Sequence, residues 1–204
     1  LQLCEYESKY ALLLLSMVAI PLIAEMDTIL AIWLKQVPEH ASMFCRFILI
    51  AALCDQLSIG LTSANQAIGK IRTYTLVFYS LKLLVVILGW GLLKMRFPIA
   101  SIMWCYVTVE LIGSIVRLPL MKHIANIDAW GFCKRILARI LIPCIAMVST
   151  CYLVTLSTPT PWRIVFTTSA CIIVGTITIW LTALTDEEKS YIKQLTQKVK
   201  QRVS

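Results

Sequence analysis

Six stretches of mostly apolar residues, Tyr10–Leu34, Ala41–Ser63, Thr73–Leu93, Pro98–Leu120, Ile136–Leu156 and Arg163–Leu184, take up most of the 204-residue chain. A helix needs about 20 such residues to cross ~30 Å of hydrocarbon. A mean hydropathy of +0.80, with 59% hydrophobic and only 15% charged residues, excludes a water-soluble domain of this size. The expected fold class is therefore all-α, a polytopic transmembrane helix bundle of about six spans. It is expected to occupy residues 10–184, after a short cytoplasmic segment (1–9) and before a basic tail (185–204).

The basic residues between the stretches are unevenly shared. With the N-terminus in the cytoplasm, that side carries Lys9, Lys70, Arg72, Arg117, Lys122, Lys134, Arg135, Arg139, Lys189, Lys193, Lys198, Lys200 and Arg202. The outer side carries Lys35, Lys94, Arg96 and Arg163, so the balance is thirteen to four. Such a bias places both termini in the cytoplasm. The net charge of +8 then reflects topology and anionic membrane lipids, and no nucleic-acid partner is expected. Trp33 and Trp162 fall at outer boundaries and Trp130 at an inner one, depths where an indole finds both hydrocarbon and a hydrogen-bond acceptor.

The outer links, Lys35–His40, Lys94–Phe97 and Ser157–Trp162, are too short to fold as domains. The longest connection, Met121–Arg135, is cytoplasmic, and its Trp130–Arg135 run is expected to lie flat at the interface. Beyond the last span, Thr185 and Glu188 have the spacing of a capping box, and Tyr191, Ile192, Leu195 and Val199 share a face opposite lysines. A basic amphipathic helix in that position rests on the cytoplasmic leaflet. The chain opens on Leu1 and reaches its first span without the charged n-region of a signal peptide. It reads as the C-terminal part of a longer chain, with the preceding half as a partner.

Motifs of catalysis do not occur. The eight cysteines form no CxxC pair and lie mostly within spans, where cysteine acts as a small hydrophobe. His40 and His123 belong to opposite membrane faces. There is no HExxH, GxSxG, Walker loop or carboxylate cluster. No catalytic residue, metal or cofactor is expected, and the chain is read as a non-enzyme.

The polar residues inside the spans carry the functional signal, because a charge in hydrocarbon costs several kcal/mol unless it faces protein or water. Glu25 and Asp27 follow Pro21, a helix breaker, and lie in the outer half where snorkelling can reach water. In the second span Asp55, Ser58, Thr62 and Gln66 recur at helical spacing, with Arg46 nine residues before Asp55 and on another side. The third span has Thr75, Tyr79 and Lys82, and the fourth has Tyr106, Glu110, Ser114 and Arg117. Three adjacent polar stripes point to a shared water-accessible cavity, and the competing reading is private pairing of Lys82 with Glu110 or Asp55. A cavity holding Arg46, Lys82 and Arg117 fits an amphiphile with an anionic head, since guanidinium and ammonium match phosphate. Alternatively, Asp55 or Glu110 is a proton or cation site. The last two spans look like scaffold.

Several runs are similar to known proteins. Ser8-Lys9-Tyr10, Pro21 in mid-span, and Ile29-Leu30-Ala31-Ile32-Trp33-Leu34-Lys35-Gln36-Val37-Pro38-Glu39 resemble the bacterial oligosaccharide flippases, whose middle region has an "ILxLWLxxVPE" boundary. These belong to the multidrug/oligosaccharidyl-lipid/polysaccharide exporter superfamily. Phe44-Cys45-Arg46 and Asn65-Gln66-Ala67-Ile68-Gly69-Lys70-Ile71-Arg72-Thr73-Tyr74 are similar to the continuation, "AIxATGKIKxYQ", and Leu184-Thr185-Asp186-Glu187-Glu188-Lys189 resembles the close. The resemblance implies a transporter of two six-helix bundles around a basic cavity, of which this chain is most of the second. It implies flipping of a lipid-linked oligosaccharide, an O-antigen or capsule repeat unit on polyprenyl pyrophosphate, across the bacterial inner membrane. Polysaccharide polymerase and glycosyltransferases would then be partners. A cation-coupled multidrug exporter of the same superfamily and a non-transporting scaffold subunit are the alternatives.

Overall fold

The structure, a computed structural model, describes residues 2–69, 71–125, 129–157, 162–185 and 187–190, and all regular structure among them is helical. The helices are α1 (Gln2–Ala24), α2 (Met26–Trp33), α3 (Ala41–Gln56), α4 (Ile59–Ile68), α5 (Ile71–Lys94), α6 (Ala100–Ala125), α7 (Ala129–Ser157) and α8 (Arg163–Thr178), which continues as a π-helical turn, Ile179–Ala183. Five helical segments are long and apolar enough to cross a membrane, and α3 with α4, bent by 50° at their junction, passes the same test as a pair and makes a sixth span if the two are taken as one. The chain is an all-α, multi-pass membrane bundle.

The first span departs from its expected limits. Helix α1 starts at Gln2, runs through Pro21 and is interrupted at Glu25, after which α2 resumes. Residues 2–9 are therefore the first turns of α1, and Ser8 and Lys9 are 0% and 2% exposed. Ser8, Leu12, Ser16 and Ala19 lie on one face of α1 and are all buried. Small side chains there let neighbouring backbones approach, which is how helices associate where no hydrophobic force separates them from lipid. This face makes α1 the hub against which α3, α4, α7 and α8 pack.

Two apolar clusters fill the interior. Leu12, Leu13, Leu61, Tyr74, Met121, Phe132, Ile136 and Ile140 form one, and Met147, Cys151 and Cys171 form the other, with Met17 and Ile20 against them. Phe132 belongs to the first cluster at 1% exposure, and α7 is continuous from Ala129. The Trp130–Arg135 backbone is thus the start of the continuous α7 and not a separate segment lying flat, with Phe132 turned into the core. Helix α5 packs chiefly on α6 and turns Leu83, Val86, Ile87 and Trp90 outward, as a lipid-facing helix does. Trp33 and Trp162 are exposed at helix ends.

The two ends of the chain are tied together. Lys9 Nζ donates to Glu188 and to the Ala183 carbonyl, and lies 4.7 Å from the Tyr10 ring centroid. The expected capping box is half formed, with the Thr185 N–H donating to Glu188 Oε2 at 2.7 Å. Tyr191, Ile192, Leu195 and Val199 lie outside the described residues. Burial opposes ionisation of Glu188, but the Lys9 ammonium and the Thr185 N–H outweigh it and hold the carboxyl below its ordinary 4.5. A folded-state value below the unfolded one means the tether stabilises fully above about pH 4.5 and is lost as the pH falls through the folded value. Thermal unfolding scans of the purified protein should therefore show a drop in Tm below pH 4.5 that Glu188→Gln reduces.

Candidate functional site

The second span breaks where its backbone is weakest. Asp55 and Ser58 favour turns over helix interiors, and the bonds from Leu57 N to Cys54 O and from Ser58 N to Asp55 O stretch to 3.4 Å. A break inside a span frees carbonyls that hydrocarbon cannot satisfy. Helix α6 satisfies them. Ser114 Oγ donates to Cys54 O at 2.6 Å, and Arg117 Nη1 donates to Asp55 O at 3.2 Å and to Ser58 Oγ at 3.0 Å. Arg117 Nη2 donates to Asp55 Oδ1 at 2.7 Å. The amide end of α4 is also capped from outside itself, since Gly60 N–H donates to Ser8 Oγ of α1 at 2.9 Å. Two helices, α6 and α1, thus hold one break.

A second pair lies further along the same stripe of α6, where Lys82 Nζ sits 2.9 Å from Glu110 Oε1. Phe78 of α5 underlies both cations, with the Arg117 guanidinium 4.1 Å and Lys82 Nζ 5.0 Å from its ring centroid. An aromatic face attracts cations, and more so when they are shielded from water. Thr62 Oγ1 and the Tyr74 hydroxyl are 2.7 Å apart. Glu110 and Arg117 are 4% and 3% exposed, and Glu110 Oε2 and Arg117 Nε have no hydrogen-bond partner among the described residues. The seam is charge-balanced, two carboxylates against two cations, and still holds unspent hydrogen-bonding capacity.

Of the residues singled out from sequence, Asp55, Ser58, Ser114, Arg117, Lys82 and Glu110 come together here, with Thr62 beside them and Tyr106 next to Glu110 on α6. Others do not join. Arg46 binds Asp27 Oδ2 at 2.6 Å and the Ile23 carbonyl at 3.0 Å, on a separate part of the bundle. Tyr79 is 65% exposed and Gln66 is also exposed. The 50° bend rotates α4 so that Asn65 is buried in place of Gln66, with neither end of its amide bonded among the described residues. Thr75 is half-buried with no polar contact in the seam. Beside the seam, a 310 Å³ cavity opens between α6 and α7, reached by Ser58 and Ser114 but otherwise walled by Leu57, Leu111, Ile115 and Ile136 among other apolar residues.

One polar centre lay hidden in the sequence. Glu25 does not snorkel. It is 1% exposed and accepts from Arg163 Nε and Nη2, each at 2.8 Å to a different oxygen, from Thr28 at 3.1 Å and from Thr167 at 3.2 Å. The last span is therefore not plain scaffold, since α8 supplies Arg163 and Thr167. Their i, i+4 spacing beside an apolar face was the available signal. In sequence Arg163 counts only as an outer-side basic residue at the start of the last span. Compared with protein-family models, with curated proteins and with solved structures, the chain finds no match in any of the three.

Proposed function

We propose that this chain is part of a transporter that flips a lipid-linked oligosaccharide, a polyprenyl-pyrophosphate-linked polysaccharide repeat unit, across the bacterial inner membrane by alternating access. Both ends of the segment would face the cytoplasm. The observation that carries this reading is the broken span, because transporters place substrate sites where membrane helices are discontinuous and backbone polar groups are free. The boundary runs Ile29–Glu39 and Asn65–Tyr74 support the substrate class.

The chemistry follows from competition for two cations. Arg117 and Lys82 are held by single carboxylate oxygens, Asp55 Oδ1 and Glu110 Oε1. A pyrophosphate carries more charge and more acceptors than either carboxylate, and binds guanidinium in a bidentate way. Taking Arg117 from Asp55 also removes its bond to the Asp55 carbonyl, so substrate binding would loosen the 56–58 hinge. Arg117→Lys, which keeps the charge and loses the fork, is expected to lower glycan export per membrane-inserted molecule at least tenfold, and Arg117→Ala to abolish it. Export and protein level are measured together in one strain.

The complete pairing of the four charges favours one second reading, a packing seam in a non-transporting scaffold subunit. Under it, Arg117→Ala lowers the amount of folded protein while export per molecule is unchanged. The two readings part on that ratio.

A further inference from the structure

We propose that Arg135 and Arg139, one turn apart on α7, bind the phosphate of an anionic phospholipid whose acyl chain lies along α7. Among the described residues the cations embedded in the bundle have carboxylate partners: Lys9 with Glu188, Arg46 with Asp27, Lys82 with Glu110, Arg117 with Asp55, Arg135 with Glu5 and Arg163 with Glu25. Arg139 breaks the pattern. It lies inside the Lys134–Ser157 span, half-exposed, with no hydrogen bond or ion pair among the described residues.

An unmatched arginine at that depth is costly unless an anion reaches it. Its surroundings supply a place for one. A cleft between α1 and α7 is lined by Glu5, Tyr6, Lys9, Arg135, Ile136 and Arg139. Glu5 and Glu188 take up Arg135 and Lys9, which leaves one positive charge in excess among the described residues at the cleft. Nε and Nη2 of Arg135 both donate to a single oxygen, Glu5 Oε1, at 3.1 and 2.7 Å, and the side chain is 46% exposed. The cleft itself, at 10 Å³, holds no more than a water-sized group, so a phosphate would sit at its mouth between the two guanidinium groups.

The rest of the helix tells a lipid phosphate from a free one. Arg135, Arg139 and Ile142 stand at i, i+4 and i+7, on one stripe. Ile142 and Ile145 are 54% and 62% exposed, deeper in the span than the arginines. A headgroup on the arginines therefore leads its acyl chain onto a bare apolar track. Basic clusters beside a span attract anionic headgroups, with about a fivefold gain in affinity for each cation near the surface. This inference is independent of the transport reading.

The test is native mass spectrometry of the full protein released from nanodiscs of phosphatidylglycerol mixed with phosphatidylcholine. The wild type is expected to retain one phosphatidylglycerol at least fivefold over phosphatidylcholine. Arg139→Gln, which breaks no hydrogen bond or ion pair among the described residues, should erase that preference, and Arg139→Lys should keep most of it. Millimolar inorganic phosphate should not displace the lipid. Equal retention of the two lipids by the wild type, an unchanged preference in Arg139→Gln, or displacement by inorganic phosphate would each overturn the proposal.

Discussion

Gly60→Ala is expected to leave little folded protein in the membrane. A Cβ at position 60 would stand 2.1 Å from the carbonyl oxygen of Cys4, 2.8 Å from its carbon and 3.0 Å from its Cα. Those atoms are backbone of α1, so no rotamer change relieves the clash and the helices must part. Parting them also breaks the bond from Gly60 N to Ser8 Oγ that caps α4 at the break. Overpacking of an interior costs about 1–3 kcal/mol where side chains can shift, and this site belongs at or above the upper end. For a chain of this size that corresponds to a fall in Tm of about 10 °C. Gly175→Ala is the matched control. There a Cβ meets the Met147 sulfur at 2.8 Å and Met17 Cγ at 3.4 Å, atoms of unbranched, flexible side chains and not of backbone. Detergent-solubilised Tm values for the two variants should differ by several degrees, and equal losses would mean that α1 and α4 are not in close contact.

Arg163→Ala is expected to be nearly as damaging, and more so than removal of both partners. Glu25 would keep only the Thr28 and Thr167 hydroxyls while remaining buried. An orphaned buried charge costs about 3–5 kcal/mol, whereas exchanging the whole pair for apolar groups is often neutral. Glu25→Leu combined with Arg163→Leu should therefore recover most of the stability lost in Arg163→Ala. A double variant no more stable than the single one would show that the centre does more than neutralise charge.

The spans were legible from the chain because a ~30 Å apolar layer imposes its own length on any helix that crosses it. The breaks within them were not. The sequence places Pro21 as the breaker of the first span, yet α1 runs through it and yields at Glu25, where Arg163 and Thr167 are waiting across the bundle. Likewise Asp55, Ser58, Thr62 and Gln66 form one stripe only on a straight helix, and the 50° bend sends Gln66 outward and Asn65 in. Pairing was legible in part. Lys82 with Glu110 could be read from polar stripes on adjacent spans, whereas Arg117 with Asp55 depends on the bend itself.

By itself the sequence determined that the chain is helical, that it crosses a membrane repeatedly, and which few polar residues must be explained. These follow from hydrocarbon acting alike on every residue of a span, so a local count of apolar residues suffices. The tertiary structure alone decided which charge meets which, that Lys9 is buried and Arg163 reaches in to the buried Glu25, and that Arg139 has no partner among the described residues. A carboxylate in lipid accepts whichever cation the packing brings within about 3 Å, and that distance is set by helices far apart in the chain.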